Sequence, residues 1–322
     1  MGGVTGLVFG PVPSRRLGRS LGVNNIPAKT CSCSCVYCQL GRTIMLTAER
    51  RVFYKPEDIF TQVERRVEEA TSRGERIDYI TFVPDGEPTL DANLGREIEL
   101  LKQIGIPVAV ITNSSLLWRE DVRRDLVEAS YVSVKVDAVS ENLWRRVNRP
   151  HRSLKLSEIL EGIRVFSEEF NGVITSETML IDSVSYEGEL ERIAGFLAEL
   201  RRLSKAYIAI PTRPSAEKWV RPAREDVLNT AFQVFSEKLG ASRVEYLIGY
   251  EGSAFSSTGN AEEDLLSITA VHPMRRDAVE ELLRRAGSNW SIVEKLLSEG
   301  KLIEVEYRGF KYYMRRLQAE AK

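Results

Sequence analysis

Residues 29–41 read KTCSCSCVYCQLG. All four cysteines of the 322-residue chain, Cys31, Cys33, Cys35 and Cys38, fall within eight of these positions. Neighbouring thiolates repel one another unless a cation neutralises them, so the density itself points to a metal. Structural zinc draws paired ligands from each of two separated knuckles, and this sequence has no second knuckle. Its two histidines, His151 and His272, lie far away in the chain. A redox pair made of Cys35 and Cys38 would be expected to open a helix. An iron–sulfur cluster suits the spacing better, because three thiolates would leave one of four irons uncovered and open to a substrate.

Working outward, short apolar runs alternate with amphipathic, charge-rich stretches. Strands are expected at 20–26, 78–83, 107–112, 131–137, 172–181, 206–210 and 241–250. Helices are expected at 56–74, 90–105, 119–129, 155–170, 187–204 and 223–239. This is the pattern of βα units on a parallel sheet. Six or so units fall short of an eight-fold barrel, so the expected fold is α/β, a partial (β/α)6 TIM-like barrel. Ligands in such sheets sit at the carboxyl ends of the strands. After a small, polar stretch at 251–260 the order becomes helix (272–287), helix (288–300) and hairpin (301–317), that of a winged helix. The expected organisation is a core domain over 1–250, a linker over 251–260 and a winged-helix-like α+β domain over 261–322.

Lys+Arg 45 against Asp+Glu 46 leaves a net charge of -1, which gives no overall field toward nucleic acid or anionic lipid. No signal-like amino terminus and no apolar run near 18 residues is present, so no membrane partner is expected. Clustered thiols without distant partners fit a reducing, cytoplasmic setting. Residues 260–322 hold eleven basic and eleven acidic side chains. Operator reading wants a basic face, so no sequence-specific DNA partner is expected. Docking on the core, gating of its site, or RNA contact through a basic wing (Arg308, Lys311, Arg315, Arg316) fit better.

The triplet Cys31-x3-Cys35-x2-Cys38, with aromatic Tyr37 before the last cysteine, resembles the radical S-adenosylmethionine (SAM) superfamily. Together with FGPVPSRRLGRSLGVNNIPAKTC (9–31), it is most similar to a subgroup related to wyosine-type tRNA-modifying enzymes. The resemblance implies a [4Fe-4S] cluster on Cys31, Cys35 and Cys38, with SAM on the fourth iron. It implies reductive cleavage of SAM to methionine and a 5'-deoxyadenosyl radical that takes hydrogen from a substrate. The expected electron source is a ferredoxin- or flavodoxin-like donor. The expected substrate is an RNA or tRNA nucleoside, with a small molecule in cofactor maturation as the alternative. A metal-sensing winged-helix regulator is the reading from another class, and the long βα body is unnecessary for it. Cys33 stands outside the triplet, as a spectator, a substitute ligand or a redox thiol.

The resemblance also implies contacts for SAM. Tyr37 would wall the pocket. Gly86, Glu87 and Pro88 resemble the family's glycine–glutamate motif, whose backbone carbonyls receive the SAM ammonium. Thr112 and Asn113 would reach its carboxylate or ribose. Lys135 and Asp137 should alternate onto one face of their strand, where polar groups are costly unless paired or used. The resemblance assigns Lys135 to the carboxylate and Asp137 to the ribose; a plain buried ion pair is the other reading. Glu177 is a candidate by the same logic. Arg15, Arg16 and Arg19 precede the first strand, at the wrong end for a barrel mouth unless their segment folds over it. Arg213 and Trp219 offer an anion contact and a stacking surface.

Overall fold

The computed structural model describes residues 6–248, 255 and 257–316. The chain opens with strands β1 (Val8–Ser14) and β2 (Gly18–Val23), followed by two-residue strands β3 (Thr30–Cys31) and β4 (Met45–Leu46). Then come α1 (Pro56–Ser72), β5 (Tyr79–Phe82), α2 (Leu94–Lys102), β6 (Val108–Ile111), α3 (Glu120–Leu126) and β7 (Tyr131–Lys135). Next are α4 (Glu141–Val147), α5 (Leu156–Glu169), β8 (Val173–Met179), α6 (Glu189–Glu199), β9 (Leu203–Ala209), α7 (Glu225–Leu239) and β10 (Val244–Leu247). The carboxyl-terminal part holds α8 (Ala261–Val271), β11 (Met274–Arg275), α9 (Arg276–Arg285), α10 (Ser291–Ser298), β12 (Leu302–Tyr307) and β13 (Phe310–Arg315).

Eight strands form one sheet in the order β1-β2-β5-β6-β7-β8-β9-β10. Every pairing from β2 onward is parallel, and only β1 runs antiparallel, at the edge. This is the expected α/β architecture, a partial TIM-like barrel. The helices explain its outer layer. In α1, Pro56 sits in the first turn where its missing N–H costs nothing, acids follow it, and Ile59, Val63 and Ala70 form the buried stripe. Such stripes and the outward residues of the strands make one continuous core, including Ile80, Phe82, Val110, Val132, Val134 and Ile163. The inward residues of the strands form smaller clusters, with Leu17, Ala109 and Tyr131 at one place and Tyr207, Ala209 and Leu247 at another.

Two differences from the sequence reading have clear causes. Strand β1, VFGPVPS, was not expected, since proline and glycine weaken strands. It is an edge strand with a register shift between Phe9 and Val12, where proline is tolerated. Strand β7 ends at Lys135 rather than Asp137. The last ladder bond is Val136 N to Glu177 O at 3.0 Å; the Asp137 carboxylate takes the Met179 N–H at 2.8 Å and still lies 3.7 Å from the Lys135 ammonium.

Antiparallel β11-β13-β12 and helices α8, α9 and α10 form the carboxyl-terminal unit. Helix α8 precedes the expected winged-helix order. Half of the expected linker lies outside the described residues, but Phe255 is buried with Leu265, Met274, Leu282 and Leu296. Phe9 and Val12 of β1 belong to the same cluster, so this unit shares its core with the edge of the sheet. Among the described residues, no helix is long and apolar enough to cross a membrane.

Candidate functional site

The cysteine loop is stitched down along its length. Val36 is fully buried; its N–H donates to the Val147 carbonyl at 2.9 Å, and its carbonyl accepts from Glu217 N at 3.0 Å. Ser34 N donates to the carbonyls of Asn148 and Arg149, and Cys33 bridges to Pro150. The hydroxyls of Ser32 and Ser115 meet at 2.6 Å. The loop therefore lies across the carboxyl ends of β6 and β7, where a parallel sheet presents its ligand crevice.

Beneath it opens a cavity of about 330 Å³, a size that suits a small ligand. Cys31, Cys35 and Cys38 line one wall, together with Cys33. Asn113 Nδ2 donates to Cys31 Sγ at 3.4 Å, and Asn148 Nδ2 to Cys35 Sγ at 3.6 Å. Burial pushes the Cys31 thiol up, and that of Cys38 up to about 11. Cys33 and Cys35 interact, which holds the Cys35 thiol below and the Cys33 thiol above the ordinary value against the shared effect of burial. Burial keeps unpaired thiols neutral, so a cation must displace their protons to bind here. Among the described residues, no group of three His, Cys, Asp or Glu side chains is gathered tightly enough to hold a single ion. Three thiols on one wall, two with amide donors aimed at sulfur, fit a cluster ligated on one side.

The turn after β5 packs against this wall. A Cβ on Gly86 would stand 1.8 Å from the Thr30 carbonyl oxygen, so only glycine allows the approach. Glu87 is buried and accepts four hydrogen bonds: from Thr89 N, Thr89 Oγ1, Thr112 Oγ1 and, at 2.7 Å, Asn113 N. Its carboxylate clamps the end of β6 to the turn. Burial raises its pKa, and these bonds oppose the shift. Behind the turn, Arg50 donates to the carbonyls of Thr89 and Asp91, and Asn25 Nδ2 to Pro88 O and Glu97 Oε2. Asp91 and Glu97 are fully buried against one another, and burial raises both.

An ionic network closes the other wall. Glu177 accepts from Lys135 at 2.5 Å and from Arg16 at 2.7 Å. Arg16 also donates to Ser133 at 3.1 Å. The β1–β2 hairpin thus tucks its tip among the inward side chains of β7 and β8, which is how arginines from the amino-terminal side reach the cavity. Burial works against the Lys135 ammonium, but Asp137 and Glu177 outweigh it and raise its pKa. Burial likewise opposes Glu177 ionisation, and Lys135 and Arg16 overcome it, bringing the carboxyl down to about 2.

Of the candidates from sequence, Tyr37, Gly86, Glu87, Thr112, Asn113, Lys135 and Glu177 line the cavity with the three cysteines. Pro88 and Asp137 do not. Pro88 is buried at the start of a short 3-10 turn, Pro88–Leu90. Asp137 lies behind Tyr37, whose hydroxyl donates to it, and it accepts from Asn148 at 2.7 Å. Lys29, Asp85, Ser133, Met179 and Arg213 were not assigned cofactor contacts, yet they line the cavity. Only the tertiary fold brings these five together.

The carboxyl-terminal unit reaches this rim. Tyr307 and Tyr312 donate to the carbonyls of Pro211 and Thr212, at 2.9 and 3.1 Å. Arg213 joins His272 Nε2 at 2.7 Å and Gln39 Oε1 at 2.8 Å, and Gln39 follows Cys38 in sequence. Asp85 is pushed up by burial to about 7, and Lys29 and Arg315 oppose the shift.

Comparison with known proteins bears on the family and the fold. The family model of the radical SAM superfamily matches residues 25–197. A UPF0026 protein of Methanocaldococcus jannaschii is 48% identical over 317 residues, covering 98% of each chain. One from Synechocystis sp. is 37% identical over 209 residues, 64% of this chain and 76% of that protein. A radical SAM methyltransferase from Sphaerobacter thermophilus shares the fold with a TM-score of 0.51 at 17% identity, over 70% of this chain and 66% of that one. TYW1 with a lysine-pyruvate adduct bound gives 0.50 at 15% identity, over 68% and 73%.

Proposed function

Because the chain belongs to the radical SAM superfamily, whose enzymes use a [4Fe-4S] cluster and SAM, we propose that Cys31, Cys35 and Cys38 hold the cluster and that the rest of the cavity holds SAM and a polar substrate. The observation that carries this reading is that the three triplet thiols share one cavity with Gly86, Asn113 and Lys135. When bound, the cluster supplies the electron that divides SAM into methionine and a 5'-deoxyadenosyl radical, which takes hydrogen from the substrate.

The chain's own residues position these groups. Asn113 and Asn148 direct amide donors at two of the sulfurs. Gly86 lets the turn approach the cysteine strand, and Glu87 fixes that turn by using its carboxylate on neighbouring donors, which leaves backbone carbonyls for an ammonium. Lys135 and Arg16 offer cations for a carboxylate while Glu177 keeps them in place.

For the substrate, five cationic side chains line the cavity (Arg15, Arg16, Lys29, Lys135, Arg213) against three carboxylates (Asp85, Glu87, Glu177). That excess supports an anionic substrate, and we read it as an RNA nucleoside with its phosphates. The docked wing favours a second reading, a small anionic molecule in cofactor maturation, because it narrows the mouth. The tests are anaerobic reconstitution followed by 5'-deoxyadenosine formation from SAM and dithionite, and comparison of tRNA nucleosides and small cofactors between a deletion strain and its parent. Zinc without iron after reconstitution would overturn the reading.

A further inference from the structure

Four of the large apolar side chains that the fold leaves exposed fall within nine residues: Ile44, Met45, Leu46 and Val52, at 55%, 44%, 41% and 66%. Clustered exposure of this kind marks an interaction surface more often than scattered exposure does. The place matters. Strand β4 pairs with β3 so that Met45 stands opposite Thr30 and Leu46 opposite Cys31. Thr47 N donates to the Cys31 carbonyl at 3.0 Å. The apolar strand is therefore separated from the backbone of one proposed cluster ligand by a single strand spacing, about 4.8 Å. Ile44, Met45, Leu46 and Val52 do not line the cavity.

The surroundings are basic. Arg42, Arg51 and Arg149 flank the patch, against Glu49 and Glu217, so cations outnumber carboxylates by three to two. Arg42 and Arg149 share the single carboxylate of Glu217, which leaves a net positive edge. An apolar centre with a cationic rim is complementary to a small acidic protein.

We propose that the strand Ile44–Leu46, with Val52, is the docking surface for a small acidic one-electron carrier protein of the ferredoxin or flavodoxin kind. This rests on the cluster site proposed above. One electron leaves the reduced carrier, which is thereby oxidised, and is accepted at the site held by Cys31, Cys35 and Cys38. No atom or proton crosses the interface. Electron transfer weakens steeply with distance, and here the covering is one strand thick.

The test compares the parent with an Ile44→Glu/Leu46→Glu variant, neither residue being part of the cavity wall. The probe is an acidic ferredoxin. Binding of oxidised ferredoxin, measured by surface plasmon resonance, should fall at least tenfold in the variant and weaken with salt in the parent. Ferredoxin-driven 5'-deoxyadenosine formation should fall at least tenfold, while dithionite-driven formation stays within twofold. An Arg42→Glu/Arg51→Glu variant should lose ferredoxin affinity and keep the dithionite rate. Unchanged ferredoxin binding, or equal loss with both reductants, would overturn the proposal. So would a dimer that the variant dissolves without any effect on ferredoxin. A parent protein that binds iron but never cleaves SAM with dithionite would instead sink the enzymatic reading itself.

Discussion

The sharpest test of the site is one carbon atom. In Gly86→Ala the new Cβ would meet the Thr30 carbonyl oxygen at 1.8 Å, its carbonyl carbon at 2.7 Å and Ile26 Cδ1 at 2.9 Å. Real Cβ contacts do not fall under 3.0 Å, so turn and strand must part by about 1.2 Å. The Ile26 contact is a side-chain end and can give. The Thr30 contact is backbone, and its displacement carries Cys31 with it. Overpacking of this kind costs about 1–3 kcal/mol of stability, a fall of roughly 2–6 °C in Tm. A misplacement of about 1 Å at reacting groups costs on the order of 100-fold in rate. We therefore expect a folded Gly86→Ala protein whose dithionite-driven 5'-deoxyadenosine formation falls about 100-fold. Gly195→Ala is the control, because its Cβ would meet nothing within 4 Å in α6. It should gain roughly 0.5–1 kcal/mol and keep its rate. Gly86→Ala protein with parental Tm and a rate within threefold of the parent would refute the close-approach reasoning.

Three further outcomes are expected. The buried Asp91 and Glu97 face Asn25, Arg50 and Asp125, and burial raises both carboxyls. For a raised acid the folded state binds the proton more tightly, so its contribution is present at low pH and is lost as pH rises through the folded value. Parent Tm should fall between pH 6 and pH 9, and Glu97→Gln should flatten that fall; an unchanged slope would exclude this pair as its source. Cys33→Ala should keep its iron and its SAM cleavage, but without the neighbouring thiol that lowers Cys35 the cluster potential should drop. A bond worth about 1 kcal/mol corresponds to about 40 mV for one electron, measurable by spectroelectrochemistry, and an unmoved potential would return Cys33 to a spectator. Tyr307→Phe with Tyr312→Phe should remove two docking bonds, about 2 kcal/mol together, and speed limited proteolysis within the carboxyl-terminal unit. Cleavage at the parental rate would mean that the shared core, rather than these bonds, holds the unit.

The proposed cysteine triplet could be read in the sequence because every thiol lies within eight residues, and the family resemblance sets Cys33 apart from Cys31, Cys35 and Cys38. The parallel strands were legible because strands buried on both faces read as short apolar runs. Strand β1 was not, since VFGPVPS carries two prolines and a glycine that only an edge position tolerates. Helix α4 is seven residues long, too short to display a period. Asp137 illustrates a different limit. Alternation brings it within 3.7 Å of the Lys135 ammonium, but past the last ladder bond, Val136 N to Glu177 O, its carboxylate turns to the Met179 N–H and does not line the cavity.

Arg16 shows what sequence could not supply and why the difference matters for the chemistry. Its number places it before the first parallel strand, at the amino-terminal side of the sheet. Its guanidinium nevertheless reaches Ser133 on β7 and Glu177 on β8, because β1 folds back along β2 and turns the hairpin tip inward. Glu177 then holds two cations in place, Arg16 and Lys135, and Asp137 lies 3.7 Å from the second of them. A carboxylate so shared is already neutralised. The charge on offer to a ligand on this wall is therefore cationic, while the opposite wall presents sulfur. That polarity, anion-seeking on one side and metal-seeking on the other, is what a zwitterionic sulfonium ligand with a carboxylate would meet on entering, and it arises from a hairpin whose sequence alone looks like a surface turn.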